Sequence, residues 1–83
     1  MQNQNVELIT QQKVATLNDA TGFVESNDNG KIVLRIVSGS VNGYLKKAFE
    51  PGIRTFTSFD AVVNLGARLN IQRLEINPKV LNF

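Results

Sequence analysis

Four basic residues and the only tyrosine of this sequence occur close together in the middle of the chain. They are Arg35, Tyr44, Lys46, Lys47 and Arg54. Arginine and lysine bind phosphate groups, and an aromatic ring beside them can stack on a base, so this combination is typical of proteins that contact nucleic acid. The alternative is that these cations lie on solvated strands and discourage edge-to-edge pairing. The formal net charge of +2 is too small to decide between the two interpretations.

The sequence argues against an enzyme, because the usual catalytic and metal-binding side chains are missing. It contains no histidine and no cysteine, which removes Ser-His-Asp and Cys-His nucleophiles and the common zinc ligands. The seven acidic residues occur singly, so none form a pair with the spacing of a glycosidase or a two-metal site. We therefore expect a non-enzymatic protein with no cofactor, no metal and no small-molecule substrate.

Length and composition fit one small domain. A chain of 83 residues that is 42% hydrophobic can bury a single core and no more. We expect one domain over residues 1–83, with flexible ends at residues 1–5 and 78–83. No apolar run approaches the ~18 residues of a membrane span, and the first residues lack the pattern of a signal peptide. We therefore expect a cytoplasmic protein that does not bind membranes.

The first element that must position the basic residues is a predicted N-terminal helix. Apolar residues near helical spacing predict this helix over residues 6–20, and Gly22 stands where a C-terminal cap is expected. The letters "VELI" leave a second interpretation open, in which a short strand precedes a helix that starts at Thr10.

An antiparallel meander follows. Asn27, Asp28, Asn29 and Gly30 tolerate the backbone angles of a tight turn between two β-prone runs. A second turn over residues 38–43 reverses the chain again, and the Pro51-Gly52 pair interrupts the third run. The predicted strands cover residues 23–26, 31–38 and 44–49, with extended structure resuming at 53–56.

The segment after the meander predicts a C-terminal helix over residues 58–69. Thr57 and Asp60 have the spacing of a capping box, and Phe56 stands where a hydrophobic staple is expected. The run from Arg73 to Ile76 predicts a final strand or an extended arm that Pro78 ends. The predicted fold is an α+β domain with a small antiparallel sheet of three to four strands, packed by the C-terminal helix, in the order α-β-β-β-α-(β).

The second strand of the meander is apolar on both faces. Ile32, Leu34 and Ile36 lie on one face, and Val33 and Val37 lie on the other. The C-terminal helix can cover only one of them. We expect the N-terminal helix or a second subunit to cover the other face, which makes Val33 and Val37 candidates for self-association.

The run from Lys31 to Leu69 resembles a known family. Two strands rich in basic and aliphatic residues precede "RTFTSFDAVV" and an amphipathic helix, as in the three-stranded-sheet-plus-helix DNA-binding domains of phage-integrase N-termini and the AP2-like group. In that family the sheet lies in the major groove and strand residues read bases. The resemblance implies that Arg35, Lys46, Lys47 and Arg54 lie on a DNA-facing sheet.

Two functions follow as expectations. The favoured one is a small binding module that contacts nucleic acid through the basic sheet face and forms a homodimer. The alternative is a protein-interaction or inhibitor module, of the kind found among accessory proteins of phages, plasmids and other mobile elements, that uses a sheet face or an edge strand.

Overall fold

A computed structural model of the protein describes residues 7–27 and 29–76. The ends predicted to be flexible, residues 1–5 and 78–83, lie outside the described residues. The elements are β1 (Glu7–Ile9), α1 (Gln11–Ala15), β2 (Thr21–Ser26), β3 (Ile32–Ser38), β4 (Val41–Leu45), β5 (Thr55–Phe56), α2 (Phe59–Arg68) and β6 (Arg73–Ile76).

The strands form a mixed sheet in the order β1-β4-β3-β2-β6. The antiparallel pairing of the meander is confirmed, because β2, β3 and β4 pair antiparallel. Its third strand is Val41–Leu45 and not residues 44–49, and the turn predicted over residues 38–43 is limited to residues 39 and 40. β5 pairs with β3 beyond the point where β4 ends. The prediction of an antiparallel sheet is wrong at both edges, where β1 pairs parallel with β4 and β6 pairs parallel with β2. Each parallel pairing joins segments far apart in sequence, and no local pattern specifies it.

The N-terminal segment corrects the predicted element order. A helix over residues 6–20 is wrong, whereas the second interpretation, a short strand before a helix at Thr10, is confirmed. Thr10 is the N-cap of α1, and its side-chain oxygen accepts a hydrogen bond from the Lys13 amide at 3.1 Å. Gly22 is not a cap but a buried residue of β2, where a Cβ atom would lie 2.7 Å from Leu74 Cδ2. The observed order is therefore β-α-β-β-β-β-α-β.

The turn between β2 and β3 is confirmed. The Asn27 amide donates to the Lys31 carbonyl at 2.9 Å, and the Asn27 side-chain oxygen accepts from the amides of Asn29 and Lys31. Gly30 has φ +76°, which favours glycine. Asp28, the remaining residue of the predicted turn, lies outside the described residues.

The C-terminal helix is confirmed as α2, but its N-cap is Ser58. The Ser58 hydroxyl accepts a hydrogen bond from the Ala61 amide at 3.2 Å. The third helical residue is therefore Ala61 and not Asp60, so the predicted capping box is wrong. Phe56 is buried in β5, and its ring belongs to the sheet side of the core.

Both helices cover the same face of the sheet. Val14 of α1 and Val62 of α2 belong to one core cluster with Leu34 and Ile36 of β3. These two strand residues point to one face, since alternate residues of a strand point to opposite faces. The expectation that the N-terminal helix covers the second face is therefore wrong. In the described part of the chain, no helix is long and apolar enough to span a membrane.

Candidate functional site

The five predicted contact residues divide between two surfaces. Arg35 and Tyr44 lie opposite each other on β3 and β4, on the sheet face that the helices leave uncovered. We call this the open face. Lys46, Lys47 and Arg54 belong instead to the segment between β4 and β5, residues 46–54, which we call the Phe49 loop. The continuous basic sheet face that the sequence predicts is thus split in two.

On the open face, Glu25 holds Arg35 and Tyr44 in place. Arg35 Nε donates to Glu25 Oε2 at 3.0 Å, and the Tyr44 hydroxyl donates to Glu25 Oε1 at 3.0 Å. Arg35 also donates to the Asn42 side-chain oxygen at 3.2 Å and lies 4.7 Å from the centre of the Phe23 ring. The positive charge of Arg35 is therefore paired within the sheet, beside a carboxylate that repels phosphate.

Burial raises the pKa of the Tyr44 hydroxyl above its usual value. The hydrogen bond to Glu25 and the negative charge of Glu25 raise it further, while the charge of Arg35 lowers it. Each of the first three causes disfavours the tyrosinate form. Tyr44 is therefore a neutral hydrogen-bond donor on this face.

The two valines predicted for self-association also lie on the open face. Val33 is 3% exposed and lies between Glu25 of β2 and Thr55 of β5. Val37 is half-buried between Thr21 and Asn42. Val33 thus offers almost no surface to a partner, and self-association through these valines stays a prediction.

The Phe49 loop has a closed neck. The Arg54 amide donates to the Leu45 carbonyl at 2.8 Å, and the Lys47 amide donates to the Gly52 carbonyl at 3.0 Å. Lys46 and Ile53 form an antiparallel bridge between these two bonds. Because its two ends are tied together, the loop projects from the sheet between β4 and β5.

The cations of the loop have different surroundings. Lys46 Nζ donates to the carbonyls of Lys47 and Glu50 at 3.2 and 3.3 Å, so it supports the loop from inside. Lys47 forms an ion pair of 3.5 Å with Glu50, and both side chains are well exposed. Such a surface pair is weak and can exchange partners. The Arg54 guanidinium lies 5.1 Å from the centre of the Phe56 ring.

Phe49 is the residue that sequence reasoning missed. Its side chain is 97% exposed at the loop. It lines two shallow concavities of about 240 and 250 Å³, one together with Lys47, Glu50 and Arg54 and the other together with Gln11 and Gln12 of α1. The signal was present in "KKAFEPG", where an aromatic residue stands between a basic pair and a Pro-Gly turn. The sequence interpretation instead ended a strand at Phe49.

Within residues 7–27 and 29–76, no group of three acidic side chains comes close enough to hold a metal ion. Comparison of the chain with protein-family models, with curated proteins and with solved structures gave no match.

Proposed function

We propose that the protein is a small binding module for single-stranded nucleic acid, and that it contacts the strand through the Phe49 loop. The observation that carries this proposal is the 97% exposure of Phe49 beside the cations Lys47 and Arg54. A large apolar side chain held at the tip of a closed loop gains nothing from folding. It gains when a flat ligand covers it.

Unpaired bases fit this ring better than duplex DNA does. Stacking of a base on an aromatic side chain contributes about 1–3 kcal/mol and does not depend strongly on the base. In a duplex the faces of the bases are already stacked on one another, so single strands and loops are the usual targets of such rings. Gln11 and Gln12, on the other side of Phe49, carry amide groups that can bind the edges of a stacked base.

The cations beside the ring supply the phosphate contacts. Lys47 exchanges the exposed carboxylate of Glu50 for a phosphate at little cost, because the ion pair is solvated. Arg54 lies over Phe56 and also lines the concavity beside Phe49, so we assign it the second phosphate contact. With so few cations, we expect a weak dependence of affinity on salt.

The open face contributes less to binding than the sequence suggests. For Arg35 to bind a phosphate, it must first leave Glu25, which would then remain as an unpaired carboxylate beside the ligand. Of the residues implied by the resemblance to sheet-based DNA-binding domains, we therefore assign phosphate contact to Lys47 and Arg54, loop support to Lys46, and a structural role to Arg35.

The test is fluorescence anisotropy with a labelled single-stranded oligonucleotide, as DNA and as RNA, at low salt. Phe49→Ala should raise Kd by about 5- to 150-fold, the equivalent of the ~1–3 kcal/mol of one stacked base. Phe49→Tyr should retain the affinity. Leu8→Ala, a change at another exposed apolar residue, is the matched control and should leave Kd unchanged.

Two further variants separate the surfaces. Lys47→Ala should lower the slope of log Kd against log salt by about 0.7, as expected for one lost contact with a single strand. Arg35→Ala should have a smaller effect on Kd than Phe49→Ala. The proposal fails if no oligonucleotide binds at low salt, in which case a protein-interaction module becomes the better interpretation. It also fails if Arg35→Ala weakens binding while Phe49→Ala does not.

A further inference from the structure

β6 forms one edge of the sheet, and in the described part of the chain nothing pairs with its outer side. An unpaired strand edge is a template for another strand, and proteins usually block it with charges, prolines or bulges. β6 carries the sequence Arg73-Leu74-Glu75-Ile76, in which the two charges are of opposite sign. This edge therefore repels a copy of itself in some registers and attracts it in another.

Arg73 and Glu75 point to the same face of the sheet. Their partners in the parallel ladder are Thr21 and Phe23 of β2, and Phe23 is the residue that lies beside Arg35 on the open face. Leu74 points to the opposite, helix-covered face, where it is half-buried against the core. Arg73 and Glu75 are therefore neighbours on the open face, two residues apart along β6.

The charges select one register for antiparallel pairing with a second copy. In an antiparallel pair, the backbone N–H and C=O groups of two opposite residues both point toward the partner strand or both point away from it. The two-fold axis that relates the two copies must therefore pass beside one residue of β6, which then lies opposite its own counterpart. An axis at Arg73 places two arginines opposite each other, and an axis at Glu75 places two glutamates opposite each other. An axis at Leu74 places each arginine opposite a glutamate of the other copy, twice. We propose that the protein forms a homodimer in which β6 pairs antiparallel with β6 of a second copy in this register.

Exposed apolar side chains flank the same edge. Ile76, at the end of β6, is 41% exposed, and Val63 of α2 is 44% exposed. Val63 lies one turn before Gly66, whose Cα faces Leu74, so Val63 is on the side of α2 that is turned toward β6. In the proposed register Ile76 pairs with Gln72 of the second copy and lies diagonal to its Leu74, which removes apolar surface from water.

The dimer is independent of the valine face that the sequence predicts for self-association. It extends one sheet across two subunits, keeps the helices of both on the same side, and leaves both Phe49 loops far from the interface, since β4 and β6 are separated by β3 and β2.

The test is charge reversal, measured by size-exclusion chromatography with light scattering over a range of concentrations. Wild type should have the mass of a dimer. Arg73→Glu and Glu75→Arg should each be monomeric where wild type is dimeric, because each replaces two attractive pairs with two repulsive ones and raises the dissociation constant by about tenfold or more. Lys31→Glu, the same charge change at an exposed position away from this edge, is the control and should remain dimeric.

Mixing the variants distinguishes this register from a general loss of folding. Arg73→Glu and Glu75→Arg are complementary to each other, so an equimolar mixture should form a heterodimer, and the double variant R73E/E75R should form a homodimer again. Circular dichroism should show the same fold in every variant. A wild-type monomer at all concentrations overturns the proposal. So does a wild-type dimer that survives both single reversals, or a mixture of the two variants that stays monomeric.

Discussion

Replacing Gly43 with alanine should detach β1 from the sheet. Gly43 lies in β4 opposite Glu7 of β1, and an added Cβ would lie 2.9 Å from both the carbonyl carbon and the Cβ of Glu7, closer than real Cβ atoms approach. The obstacle is backbone, so no side-chain rotation can relieve it. Either β1 moves away or β4 distorts.

The size of the effect follows from what β1 buries. Ile9, its last residue, is 2% exposed, and its removal from the core costs about 2–3 kcal/mol. Its carbonyl accepts the Lys46 amide at 2.9 Å, a bond with a net contribution of about 1 kcal/mol, while the freed chain regains some entropy. We expect a loss of about 2–3 kcal/mol from a total unfolding free energy of about 4–12 kcal/mol for a domain of this size, which lowers Tm by about 10–20 °C.

Gly66→Ala is the matched control. Here the added Cβ would lie 3.3 Å from Leu74 Cδ1, the end of a side chain on an edge strand that can shift by a few tenths of an ångström. Alanine also favours the helix interior by about 1 kcal/mol over glycine, so we expect a Tm equal to or above that of wild type.

The assay is thermal and urea denaturation followed by far-ultraviolet circular dichroism. A Gly43→Ala variant that melts at the wild-type temperature would contradict the predicted clash with β1. So would a Gly66→Ala variant that is destabilised as much as Gly43→Ala. The second result would mean that crowding by the edge-strand side chain matters as much as crowding by backbone.

Two further predictions concern single side chains. Because Tyr44 is the only tyrosine and tryptophan is absent, tyrosinate absorbance reports the pKa of Tyr44 directly. This pKa should lie above 10.0, and it should fall in Glu25→Gln while burial keeps it raised. A pKa at or below 10.0, or one that Glu25→Gln leaves unchanged, would contradict the open-face geometry. Because the pKa of Tyr44 is raised by folding, the neutral hydroxyl stabilises the folded state. This stabilisation is complete below pH 10 and is lost as pH rises through the folded pKa, which urea titrations at alkaline pH can measure. Ser58→Ala should cost about 1 kcal/mol by removing the N-cap of α2, whereas Thr57→Ala should cost little; equal losses in urea denaturation would argue against Ser58 as the cap.

The features that could be predicted from the sequence are those specified by neighbouring residues. The turn at Asn27 and Gly30 closes through bonds within one short segment, and α2 has an apolar stripe that its own spacing defines. The sequence predicts β1 only as a second interpretation, because its three residues gain their strand conformation only by pairing with β4. The predicted N-cap of α2, Thr57, lies one residue before the observed N-cap, Ser58. Both residue types are good N-caps, and the sequence does not choose between them.

The candidate site shows the same division. The sequence marks Arg35 and Tyr44 as candidate contact residues, and the register places them opposite each other. It does not show that Glu25 pairs with both, because that contact depends on how β2, β3 and β4 align. Nor does it show the excursion of residues 46–54, since the run up to Phe49 has the composition of a strand. The exposure of Phe49 becomes visible only when the bonds at the neck of the loop are known.

The parallel edges of the sheet also determine the order in which it can fold. β2, β3 and β4 are joined by short turns, so their pairings close small loops and can form early. β1 and β6 pair with strands far away in sequence, which requires larger loop-closure entropy and slows their docking. The hairpins should therefore acquire protection from hydrogen exchange first. In the native state β1 should open first, since β6 is paired on both sides in the proposed dimer. While β1 or β6 is undocked, β4 or β2 is exposed to strands of other molecules, so we expect undocking of these strands to promote aggregation.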